Sequence, residues 1–85
     1  MAETKSRAQR ARNAADLGGV ARSRRREQGL TQERLADLVG THRNQIRKLE
    51  TGTGTTSLAL MLRVLNELGL DLFVGPRDVH RGLGR

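Results

Sequence analysis

The run Thr31 to Glu50, TQERLADLVGTHRNQIRKLE, constrains this chain more than any other stretch. Leu35, Ala36 and Val39 fall at i, i+1 and i+4, which makes one apolar stripe on a short helix. Ile46 and Leu49 make a matching stripe on a second helix. Between them stands Gly40, where a tight turn needs a residue that tolerates positive φ. Ala36 is small, so the second helix can cross close to the first. The outward side of the second helix then carries Arg43, Asn44, Arg47 and Lys48. These side chains supply the donors and acceptors that suit base edges and phosphates.

The flanking sequence predicts two more helices. One begins near Ala14 to Asp16, with Asn13 or Asp16 as its cap, and runs to Gln28 before Gly29. Gly18 and Gly19 inside it each cost about 1 kcal/mol of helix propensity relative to Ala, so its first turn should be irregular or closely packed. Neighbours on a helix point about 100° apart, so Arg24, Arg25 and Arg26 cannot all face one way, and at least one should turn inward or pair with an acid. Thr31 is the expected N-cap of the helix Gln32 to Val39, and Thr41 or His42 that of a helix running from about His42 to Thr51. After a polar loop over residues 51–57, a helix is expected from Ser57 to Leu68. In it Leu58, Met61, Leu62, Leu65 and Leu68 form one stripe, and Leu60 and Val64 a second on another face. Two stripes exceed what three small neighbours can cover, so one face is expected to meet another subunit. Beyond Gly69 the period changes: Leu70, Leu72 and Val74 alternate with Asp71 and Phe73, a short strand stopped by Gly75 and Pro76. The chain offers no second strand, so pairing with the same strand of another copy is expected. Leu60, Val64, Leu70, Leu72 and Val74 are the expected dimerisation residues. Residues 1–13 read as a flexible basic arm, 14–75 as the folded unit and 76–85 as a flexible tail.

Composition narrows the function classes. The chain has 85 residues with one Phe and no Trp or Tyr, a thin core at this size, and small domains often complete their burial by oligomerising. Net charge is +7, and it is uneven: residues 1–57 hold 12 basic and 6 acidic residues, and residues 58–85 hold 4 and 3. That asymmetry suggests anion binding first and assembly second. There are no cysteines, and the two histidines lie 38 positions apart, so neither a disulfide nor a metal motif is visible. No nucleophile–base pair stands out, and GTGTT lacks the Gly-Lys-Ser/Thr ending of a phosphate loop, so neither enzyme nor cofactor is expected. No apolar run approaches the ~20 residues of a membrane span, and no hydrophobic signal core follows the first fifteen residues. A cytoplasmic location, with no membrane partner, is expected.

Residues 17–52 resemble the Cro/C1-type (Xre) helix-turn-helix DNA-binding family. The resemblance is carried by Leu17-Gly18, Arg25, Gly29-Leu30-Thr31-Gln32, Leu35-Ala36, Gly40, Ile46 and Leu49-Glu50. Residues 55–74, TTSLALMLRVLNELGLDLFV, look like the fourth helix and dimerising strand of HipB-type antitoxins. The resemblance implies a mainly α fold: a lambda-repressor-like bundle of four helices plus a short C-terminal β-strand that pairs in a homodimer. It implies a transcriptional repressor that binds a palindromic double-stranded operator, autoregulates its operon as the antitoxin of a HipBA-type system, and binds a HipA-type kinase toxin. The alternatives are a stand-alone Xre-family regulator, or a protein-interaction module with only non-specific DNA affinity. The resemblance also implies roles. Arg43, Asn44 and Lys48 match base-contacting positions; Arg43 can bridge guanine O6 and N7, and Asn44 adenine N6 and N7. Gln32 matches a phosphate-touching residue that steadies the reading helix, and Thr31, His42 and Arg47 join it as phosphate candidates. Spacing does not separate Arg47 from Lys48 as reader or phosphate holder. Arg25 and Glu50 match a buried ion pair between the first and third helices. The chain departs from the family pattern at Arg24, Thr41 and His42.

Overall fold

A computed structural model describes residues 8–77 of the chain, with four helices among them. They are α1 (Ala14–Glu27), α2 (Gln32–Val39), α3 (Arg43–Thr51) and α4 (Leu58–Glu67). Residues 1–7 of the expected N-terminal arm and residues 78–85 of the expected tail fall outside the described residues.

Each start has a local cause. Asn13 Oδ1 accepts from the Asp16 N–H at 2.8 Å and so caps α1, and the Asp16 carboxylate reaches back to accept from the Arg12 N–H, one residue before the cap, at 3.1 Å. Thr31 Oγ1 accepts from the Arg34 N–H at 3.0 Å and Ser57 Oγ from the Leu60 N–H at 3.1 Å, fixing the starts of α2 and α4. The turn between α2 and α3 is built on Gly40, at φ 78° and ψ 41°, where a side chain would be strained. Its closure is a Schellman bond, the Thr41 N–H donating to the Ala36 carbonyl at 2.9 Å.

The core is aliphatic. Leu35, Ile46, Leu49, Val64 and Leu68 are its largest fully buried side chains, with Ala21, Ala36, Val39, Leu60, Met61 and Leu65 around them. Each large one contributes about 1.5–3 kcal/mol relative to exposure. α3 is packed between α1 and α2, and α4 closes the bundle against α2. The end of α4 is also tied to α1: Arg24 Nε and Gln28 Nε2 both donate to the Leu68 carbonyl, at 2.9 and 3.1 Å.

One sequence expectation is corrected here. Leu60 and Val64 are not on an outer face; they are 4% and 0% exposed, inside the protomer's own core. The two stripes are one broad face, Leu60, Met61, Val64, Leu65 and Leu68, and the outward pair is Leu58 and Leu62. Residues 70–76 form no strand, because a ladder needs a partner and the described residues of one copy offer none. Leu70 packs against the core, while Leu72, Phe73 and Val74 are exposed.

α1 runs unbroken through Gly18 and Gly19, and the two differ sharply in surroundings. A Cβ on Gly18 would collide with the Leu49 carbonyl oxygen and lie 2.7 Å from that of Glu50; one on Gly19 would meet nothing within 4 Å. Gly18→Ala is therefore expected to force α1 from α3 and cost several kcal/mol, at least the ~1–3 kcal/mol of an overpacked core. Gly19→Ala is expected to stabilise by about 0.5–1 kcal/mol through helix propensity. Urea denaturation followed by circular dichroism measures both, and similar shifts in the two variants would contradict the close crossing at Gly18.

Candidate nucleic-acid interface

The site begins with a buried ion pair. Arg25, on the inward side of α1, donates from Nε to Glu50 Oε2 at 2.6 Å and from Nη2 to Glu50 Oε1 at 3.1 Å. Its Nη1 donates to the Leu30 carbonyl at 2.7 Å, at the turn that leads into α2. Gln32 Nε2 donates to Glu50 Oε1 at 3.0 Å. One carboxylate thus holds the end of α1, the start of α2 and the body of α3 together. A planar guanidinium suits this forked geometry, which an ammonium does not match. Arg25 and Glu50 are the only buried charged residues described, and no buried side-chain polar atom among the described residues lacks a partner.

With Ile46, Leu49 and Glu50 turned inward, the helical period sends Asn44, Arg47 and Lys48 outward, with Arg43 beside them at the first turn. Arg43, Asn44 and Arg47 are exposed, and Lys48 is half-buried, its stem near the loop residue Gly54. Arg43 stands at one edge of this row, in a polar cleft shared with Arg22, Arg26, Thr31, Gln32 and Glu33. Arg47 Nε and Nη2 both donate to Asn44 Oδ1, at 3.2 and 2.7 Å. The row can therefore present charge and hydrogen-bond donors to an anionic, groove-shaped surface.

The structure separates the phosphate candidates by how free they are. Thr31 is exposed, and its hydroxyl oxygen already caps α2 while its proton remains available. Gln32 is half-buried and its amide nitrogen is committed to Glu50. His42 is the N-cap residue of α3 and is exposed, but its side chain makes no capping bond. Among the four helices, α3 alone starts without a side-chain cap. Arg22 and Arg26, which line the cleft, are not among the phosphate candidates expected from the sequence. Their i, i+4 spacing on the end of α1 was the available signal, because it puts both on one flank of the inward Arg25.

A family model described as helix-turn-helix matches residues 22–74. An uncharacterized HTH-type transcriptional regulator of Sinorhizobium fredii is 37% identical over 65 residues, covering 76% of this chain and 86% of that protein. One from Methanothermobacter thermautotrophicus is 43% identical over 61 residues, covering 67% of this chain and 88% of that protein. Among solved structures, the restriction-modification controller protein C.AhdI from Aeromonas hydrophila superposes with a TM-score of 0.62 at 31% identity, covering 68% of this chain and 84% of that one.

The matched span includes both partners of the ion pair. Arg25→Met alone or Glu50→Leu alone is expected to cost about 3–5 kcal/mol, because each leaves a buried charge unpaired. The double variant is expected to cost clearly less than the two losses combined. Denaturant titration of parent, singles and double checks this, and additive losses would show that the two side chains do not couple.

Proposed function

The chain belongs to the helix-turn-helix family, and from that premise we propose that it is a dimeric, sequence-specific DNA-binding repressor. The observation that carries the reading is the outward row of α3, fixed by the Arg25–Glu50 pair and flanked by the Arg22/Arg26 cleft. On this reading α3 lies in the major groove. Arg43, Asn44 and Lys48 contact base edges, and Arg43 pairs with guanine through O6 and N7. Thr31, His42 and Arg47 contact phosphates, joined by Arg22 and Arg26. Gln32 serves mainly by bracing Glu50, which supports the pitch of α3.

The second half of the reading is assembly. Leu58, Leu62, Leu72, Phe73 and Val74 are exposed apolar residues on a chain with little core to spare. A second copy would cover them, and residues 70–74 of two copies would supply each other with a ladder partner. The resulting twofold axis calls for a palindromic operator, with half-sites one helical turn or a multiple apart. We assign the protein to the cytoplasm, nucleoid-associated when bound; no described helix is long and apolar enough to cross a membrane. The resemblance of residues 55–74 favours an antitoxin that autoregulates its operon and binds a HipA-type kinase toxin. The similarity to a restriction-modification controller favours a stand-alone regulator instead. A pull-down separates these: a co-purifying kinase supports the first, and footprinting of the upstream region without such a partner supports the second.

Two further outcomes are expected. Arg43→Ala should relax preference at one base pair by about 1–3 kcal/mol, while Arg26→Ala should weaken binding to all sequences alike and lower the salt slope by about one. Binding titrations over an operator library at several salt concentrations measure both, and identical profiles for the two variants would contradict the division of roles. Val74→Asp, at a residue 92% exposed in the single copy, should shift the protein to monomer in analytical ultracentrifugation without unfolding it; an unchanged mass would remove residues 70–74 from the interface.

A further inference from the structure

This inference rests on the repressor reading and concerns what Asn44 reads. With Ile46, Leu49 and Glu50 buried, Asn44 stands near the crest of the outward face of α3. An amide oxygen has two lone pairs, and Arg47 reaches Asn44 Oδ1 with two donors at once, Nε at 3.2 Å and Nη2 at 2.7 Å. Such a bond from a charged donor is stronger than one between neutral groups. No described residue accepts from Asn44 Nδ2, so the two N–H groups of the amide are left to solvent or ligand.

An amide held this way offers donors and no acceptor. The adenine edge in the major groove pairs an acceptor, N7, with a donor, N6, and a matching asparagine must use both ends of its amide. Guanine shows two acceptors, O6 and N7, and asks only for donors. We propose that Arg47 is a positioning residue that converts Asn44 into a donor-only reader, so that Asn44 selects guanine over adenine. The positive guanidinium adds to the bias, since it disfavours the approach of the adenine amino group. Two guanine-preferring contacts, from Arg43 and Asn44, would then lie next to each other along α3.

The test measures relative affinities over a half-site library for the full chain and three exposed-face variants, each checked for parent-like helical content. The base pair served by Asn44 is the one whose preference Asn44→Ala removes. The parent is expected to favour guanine there over adenine by roughly tenfold. Arg47→Ala frees Oδ1 and should shift the preference toward adenine. Arg47→Lys keeps a positive charge but cannot grip Oδ1 with two prongs, so the preference should shift with it as well, whatever the change in overall affinity. A loss of affinity without a change in preference in both Arg47 variants would mean a phosphate contact only, and would overturn the proposal. So would a parent that already favours adenine at that pair, or an Asn44→Ala profile identical to the parent's. A parent with no preference at any position would overturn the repressor reading itself.

Discussion

Everything in this bundle depends on one buried carboxylate. Glu50 accepts from Arg25 twice and from Gln32 once, and Arg25 in turn closes the Leu30 carbonyl. Burying two charges is expensive, and the net stability of such a pair is small. Its value lies in geometry. A forked guanidinium and a carboxylate satisfy each other over a narrow range of angles, so the pair accepts only one crossing of α3 over α1. The surrounding aliphatic residues tolerate sliding in a way that these hydrogen bonds do not.

The same crossing is tightened from the backbone side. Glu50 sends its side chain to Arg25 while its carbonyl, with that of Leu49, abuts Gly18. One helical turn away Gly52 lies against Ala14 and Ala15, where a Cβ would come within 2.5 Å of the Ala15 nitrogen. Two glycines thus let α1 and the end of α3 touch backbone to backbone, and the ion pair sets their angle. The consequence for function is rigidity. A helix that must meet a groove at a fixed pitch is held by contacts that leave little room for adjustment.

The legible parts of the sequence were those where one residue type answers one local need. Thr31 and Gly40 bound α2 because a hydroxyl caps one end and a positive φ closes the other. The inward turn of one arginine in the 24–26 run followed from helical geometry, and the resemblance pointed to Arg25. The faces of α4 were not legible. Leu60 and Val64 sit in phase with Met61 and Leu65, and hydrophobicity alone cannot tell a wide buried face from two opposed ones. Arg24 was missed for a related reason. Its Nε donates to a backbone carbonyl 44 residues away, which leaves no mark in the local sequence, where only the i, i+3 partner Glu27 is visible. The Asn44–Arg47 bond is within reach of i, i+3 spacing, but an exposed arginine at that spacing suits a phosphate equally well.

The least stable choices in the chain gather on α3. It starts without a side-chain cap, which forgoes about 1 kcal/mol. Its first residue is Arg43, a cation at the positive end of the helix dipole, and Arg43 and Arg47 are like charges at i, i+4. Its one acid, Glu50, is turned inward and cannot offset them on the surface. α2 and α4, of similar length, show neither the missing cap nor the cationic start. Where local rules fail together on one element of an otherwise consistent fold, stability has been yielded to something outside the protomer. An anionic ligand would reverse each of these costs: it satisfies the free N–H groups at the helix start, favours the cation there and relieves the repulsion along the helix.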